Sequence, residues 1–157
     1  MKIFRYIPII ILSLLSIQSF GQMAISFEEA KNQGINVAEL DSTYKSGIHS
    51  DPNLAVFSEQ QTEYIQAYYA MIRDLSTYLN SNDFRWGGQT RCFNRIYFAA
   101  DGSIEYFIYQ FEEGELSVER QAEFDQLLNE FINSAKFPMS KDVKFAQCSP
   151  VNYRDTL

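Results

Sequence analysis

The sequence predicts an α+β domain: a three-stranded antiparallel sheet, central strand about 91–99, with two long helices packed on it. Three observations carry this. The stretch RCFNRIYFAADGSIEYFIYQF, Arg91 to Phe111, reads as two strands folded about Asp101-Gly102, a pair that favours tight hairpin turns. Two segments, near 58–80 and 118–135, repeat apolar residues at helical spacing. A last run, VKFAQCSPVNY, reads as a strand that Pro150 moves toward a sheet edge, because proline cannot donate to a ladder.

The chain has 157 residues, enough for one domain of ordinary size. Its start, MKIFRYIPIIILSLLSIQSFGQ, has the layout of a secretory signal. Lys2 and Arg5 form a basic n-region, Ile7 to Leu15 an apolar h-region, and Ser19 and Gly21 the small residues of a cleavage site. The apolar run is about half of the roughly 20 residues that span a bilayer. Cleavage after Gly21 leaves residues 22–157 as a single periplasmic or secreted α+β domain, with no membrane insertion. Residues 22–57 then read as short helices and loop, and 58–157 as the core. Removing Lys2 and Arg5 takes the net charge from −7 to about −9. Such a chain is repelled by nucleic-acid phosphates and anionic headgroups, and no basic cluster offsets this.

In the first mature segment, MAISFEEAKNQG, Ser26 and Glu29 form a capping box and Gly34 ends a short helix. Val37, Leu40 and Tyr44 suggest a second short helix, followed by loop at Gly47, Pro52 and Asn53. Ser58 reads as the N-cap of a long helix reaching about Asn80, with Ile65, Tyr68, Ile72, Leu75 and Leu79 as its apolar stripe. NSNDFRWGGQT is punctuation. Ser117 opens the second long helix, whose buried face is Phe124, Leu127, Leu128, Phe131, Ile132 and Ala135.

The hairpin's second arm, IEYFIYQF, has large side chains at nearly every position, unlike a sheet with one solvated face. A three-residue loop with Gly102 left-handed pairs Phe98 with Ile104, Ile96 with Tyr106 and Asn94 with Ile108. One face then holds Ile96, Phe98, Ile104, Tyr106 and Ile108, the aliphatic side that receives both helices. The other holds Phe93, Arg95, Tyr97, Glu105, Phe107 and Tyr109. Either the N-terminal helices cover this aromatic face, or it stays open as a partner-binding patch of Arg91, Phe93, Arg95, Tyr97, Phe107 and Tyr109. Aromatic residues and arginine are enriched at binding hot spots. Trp86, the sole tryptophan, is either a buried anchor at the strand's mouth or part of the same contact surface.

Two cysteines, Cys92 and Cys148, in an exported chain predict a disulfide. A central strand near 91–99, flanked by the other two, brings them side by side. Closing such a loop stabilises a fold by about 4 kcal/mol on the chain-entropy account.

The pattern RIYFAADGSIEYFIYQF, a helix, then KFAQCSPVNY resembles the C-terminal domain of TonB-type proteins. Those domains run strand, DG-type turn, strand, helix, closing strand. The resemblance covers about Cys92 to Tyr153 and rests mainly on Phe98, Asp101, Gly102 and Ile104. It implies the fold and a binding-module role. Energy transduction is not carried over, because those transducers span the periplasm on a Pro-rich linker and this chain has only four prolines.

Catalytic chemistry finds few residues. His49 is the only imidazole, and two thiols with one histidine do not make a structural zinc site. No cofactor is expected. Glu112, Glu113 and Glu115 read as a solvated acidic loop, too sparse in oxygen ligands for calcium. The expected function is a non-enzymatic binding protein acting through protein or peptide contacts with an envelope or secreted protein. The alternative is a periplasmic inhibitor or immunity protein whose negative charge steers it to a basic enzyme.

Overall fold

A computed structural model describes residues 21–155. The signal segment lies outside the described residues. The elements are β1 (Met23–Ser26), α1 (Phe27–Asn32), α2 (Val37–Thr43), β2 (Lys45–Ser46), α3 (Gln61–Ser81), β3 (Thr90–Phe98), β4 (Ile104–Phe111), α4 (Val118–Ser134) and β5 (Phe145–Tyr153), with a short 3-10 turn at Pro52–Leu54. The fold is α+β, but the sheet has five strands in the order β1-β4-β3-β5-β2 and is mixed. β3 pairs antiparallel with β4 and β5, while β1 joins β4 and β2 joins β5 in parallel. This corrects the expected three-stranded antiparallel sheet. The two extra strands come from the segment read as short helices and loop. At four and two residues they are too short to display an alternating pattern.

Caps fix the helix starts. The Ser26 hydroxyl accepts the Glu29 N–H at 3.2 Å, and the Ser117 hydroxyl accepts that of Arg120 at the same distance. α3 begins two residues later than the Ser58 reading, with Gln60 in place of Ser58 at the N-cap position and no side-chain cap. A turn from Phe57 to Gln60, pinned by the buried Phe57 ring, precedes it.

α3 and α4 lie on the back of the sheet. Their buried residues join Cys92, Ile96, Phe98, Ile104, Phe107, Tyr109, Phe145 and Tyr153 in the main core. α4 buries Phe124, Leu127, Leu128, Phe131 and Ile132. α3 buries Tyr64, Tyr68, Met71, Leu75 and Leu79, so its buried stripe is rotated from the expected one. Ile65 is left exposed and Ile72 half-buried. α1 and α2 lie on the front, over a smaller core of Ile25, Ala30, Tyr44, Tyr97, Ile108 and Ala146.

The hairpin turn places Gly102 at φ 88°, and the Ala99 N–H donates to Ser103 O at 2.8 Å. A Cβ at Gly102 would collide with the Phe137 carbonyl oxygen, so both conformation and space require glycine. Phe98 pairs with Ile104 as expected, but a bulge follows: Tyr97 pairs with Tyr106, Ile96 with Phe107 and Asn94 with Tyr109. Glu105 is the extra residue. One extra residue exchanges the faces of everything beyond it. Phe107 and Tyr109 therefore turn to the back, and Tyr106 and Ile108 to the front. The expected single aromatic face is divided between two cores.

Candidate functional site

The expected Cys92–Cys148 disulfide is overturned. Cys92 pairs across the ladder with Val151, and Cys148 with Arg95. Three positions separate them, and an odd offset sends the side chains to opposite faces. Both are free: Cys92 is buried on the back, and Cys148 is exposed on the front. Burial raises the Cys92 thiol to about 12. Burial also raises Cys148, which the nearby Arg95 only partly offsets. A protonated thiol is a weak nucleophile.

The expected contact residues scatter. Phe107 and Tyr109 are buried on the back, the Tyr109 ring meeting Phe124 edge-on at 5.0 Å. Trp86 is buried as well, stacked on Tyr153 at 4.6 Å, while the Trp86 and Gly87 N–H groups donate to the Asp155 carboxylate. Tyr97 lies beneath α2, its hydroxyl donating to Asp41 at 2.8 Å. Arg91 and Phe93 remain exposed on the part of the front that α1 and α2 do not cover, and Arg95 lies at the border of α2, half-buried. Arg95 forks onto Asp41 at 2.9 and 3.2 Å and lies 5.5 Å over the Phe93 ring. Arg91 meets Glu112 at 3.7 Å and its N–H donates to Glu115. Two members of the acidic loop thus answer this arginine.

The two sides of the sheet end differently. On one side, β1 is sealed. The Ala24 N–H donates to Asn129 Oδ1 at 2.9 Å, and Asn129 Nδ2 donates to the Ala24 carbonyl at 2.8 Å. The α4 side chain thus satisfies both outward main-chain groups of that residue. On the other side, β2 covers β5 only at Phe145 and Ala146. The Lys45 and Gly47 N–H groups donate to the carbonyls of Lys144 and Ala146, so even-numbered residues of β5 point their main-chain groups outward. The ladder with β3 is unbroken through Tyr153, which keeps that alternation. Cys148, Pro150 and Asn152 are exposed, and no described backbone group pairs with their outer edge, though Gln147 Nε2 donates to the Cys148 carbonyl at 3.3 Å. Pro150 occupies an outward position, where its missing N–H breaks no ladder bond.

Apolar surface flanks this bare edge. Behind it, a groove of about 420 Å³ runs between β5 and α3, lined by Ile65, Tyr69, Ile72 and Val151 and by Tyr68 and Ser149, whose hydroxyls are hydrogen-bonded to each other at 2.5 Å. Before it, Phe93, Pro150 and Arg91 line a shallow cleft of about 560 Å³. Tyr69 is 58% exposed, Phe93 38% and Ile65 37%, three of the six large apolar side chains exposed among the described residues. Helical spacing predicts Ile65 and Ile72 as buried and does not single out Tyr69, whereas the helix buries Tyr64, Tyr68, Met71, Leu75 and Leu79. A usable signal was present in Pro150, which marks a free edge.

A third cleft, about 530 Å³, is lined by Asp41, His49, Arg95 and Cys148. Its histidine is turned to its own loop, Nδ1 accepting the Asp51 N–H at 2.9 Å. Among the described residues, no group of three or more His, Cys, Asp or Glu could hold a metal ion. No helix among them is long and apolar enough to cross a membrane. The chain matches no protein-family model, no curated protein and no solved structure.

Proposed function

We propose that the chain is an exported, non-enzymatic binding protein that takes an extended segment of an envelope or secreted partner as an added strand on β5. One observation carries the reading: the fold closes Ala24 on the β1 edge with Asn129 and leaves the β5 edge from Cys148 to Asn152 without a backbone partner, only the Cys148 carbonyl being met, by its neighbour Gln147. A row of unpaired N–H and C=O groups is a template for another chain, and folds that gain nothing from one usually blunt it. The contact surface is then Arg91, Phe93 and Arg95 in front and the α3 groove behind. The binding role is also what the resemblance to TonB C-terminal domains implies.

Capture from the native envelope by immobilised residues 22–157 tests it, with wild type beside Asn152→Pro. Proline at 152 removes an outward donor without touching the ladder to β3. A partner held at high salt by wild type and lost by Asn152→Pro is expected. Capture that salt abolishes, and that neutralising Glu112, Glu113 and Glu115 weakens, is the inhibitor's signature and contradicts strand addition. Export has its own check: the protein from the envelope fraction should begin at Gln22.

A further inference from the structure

The bare edge and the groove behind it together specify the occupant more closely, and this step rests on the strand-addition reading above. We infer that the partner segment is an extended peptide with two apolar side chains spaced i, i+2, both inserted between β5 and α3. The edge offers two donors, the N–H groups of Cys148 and Asn152, and two free acceptors, the carbonyls of Pro150 and Asn152; the Cys148 carbonyl accepts the Gln147 side-chain amide at 3.3 Å, which an incoming strand must displace or share. A strand laid along it alternates its side chains between the two faces of the sheet. Residues directly opposite Cys148, Pro150 and Asn152 share their face and lie on the solvated front. The two residues between them point to the back, into the groove of Ile65, Tyr69, Ile72 and Val151. The main chain sets the extended conformation, and the groove sets which positions are apolar.

A second copy of this chain fits the edge poorly. Two β5 edges paired antiparallel about their middle bring Pro150 opposite Pro150, and neither has an N–H to give the facing carbonyl. The incoming strand instead continues the line of β2, whose pairing with β5 ends at Gly47, where the N–H still donates to Ala146 but the carbonyl accepts the Phe57 N–H; Ile48 then lines the near end of the groove.

The probes are blocked, fluorescent heptapeptides of threonine with leucines at positions 3 and 5, and the isomer with leucines at 3 and 4. Fluorescence anisotropy with residues 22–157 should show the 3,5 peptide binding at least tenfold more tightly than its isomer. Tyr69→Ala and Asn152→Pro, both at exposed positions, should each weaken it at least fivefold. N-methylation supplies a readout independent of side chains. Methylating one alternate set of amides should abolish binding and methylating the other should not. If the sensitive set is that of the leucines, the strand runs parallel to β5; if the other set, antiparallel.

Equal affinity for the two isomers, with Asn152→Pro weakening both, overturns the apolar spacing and leaves strand addition standing. Binding that Tyr69→Ala weakens but methylation of neither set disturbs overturns both, since the peptide is then not a strand. Failure of the 3,5 peptide to bind overturns the inference. So does a dimer in sedimentation that Tyr69→Ala dissolves, because the groove then belongs to a second copy.

Discussion

Glu105 is the extra residue between the Phe98–Ile104 and Tyr97–Tyr106 pairs, where its carboxylate receives the Tyr44 hydroxyl and lies 2.8 Å from Lys144 Nζ. That one residue sends Phe107 and Tyr109 to the back and leaves Phe93 as the ring on the open front. At the same scale the thiols give a clear expectation. In the native chain Cys148 should react with an alkylating reagent while Cys92 stays protected until unfolding, and a reductant should leave Tm unchanged. Two thiols that titrate only after reduction would restore the disulfide and contradict the register. At the turn, Asp101 pairs with Lys136 at 2.8 Å and accepts the Ser103 N–H and hydroxyl, which hold its carboxyl down to about 2. A depressed carboxyl stabilises the fold above its unfolded pKa, about 4, and loses that contribution as pH falls through 2. Acid titration should therefore show a stability loss between pH 4 and 2 that Asp101→Asn flattens. Gly102→Ala should cost about 2 kcal/mol or more in denaturant unfolding, from positive φ and the Phe137 carbonyl together.

The elements differ in how their edges and flanks are closed. Asn129 makes three hydrogen bonds, two with Ala24 and one to the Asp125 carbonyl at 2.9 Å, and so ties α4 to β1. Asn129→Leu leaves the outward groups of Ala24 unpaired, and the loss should be about 1–3 kcal/mol with β1 the first segment to open to exchange. α2 is held differently. It buries no residue fully, and Asp41 ties it to Arg95 and Tyr97. α3 has the least closed flank. Its buried residues, Tyr64, Tyr68, Met71, Leu75 and Leu79, step by three and four, and Ile65, Tyr69 and Ile72 run beside them toward β5. Helical periodicity marks that a helix is amphipathic, yet a rotation of a fraction of a turn decides which flank stays bare. Periodicity alone therefore located α3 and α4 and most of the α4 face, and misplaced the α3 flank.

At the scale of the whole molecule, the chain is a five-stranded sheet clad on both sides, with one edge fastened and one edge left open. Long elements were legible because their patterns repeat: the Asp101-Gly102 hairpin, the Ser117 cap and the Phe124–Ile132 face are all written locally. What escaped is set by single residues and by distant pairing. β1 and β2 are too short to carry a period, Glu105 shifts a register without a sequence mark, and the opposed thiols follow from an offset of three along a ladder. Of the candidate site, Arg91, Phe93 and Arg95 were legible; Trp86, Tyr97, Phe107 and Tyr109 belong to the cores. The groove required knowing where α3 sits against β5. The two edges are unequal, and amide hydrogen exchange of the free protein reads them residue by residue. The Ala24 N–H, bonded to Asn129, should exchange slowly, while those of Cys148 and Asn152 should exchange at least a hundredfold faster. Addition of the 3,5-leucine peptide should slow only the latter pair. Cys148 and Asn152 amides as protected as Ala24 in the free chain would mean that the edge is already closed, and the account would be wrong.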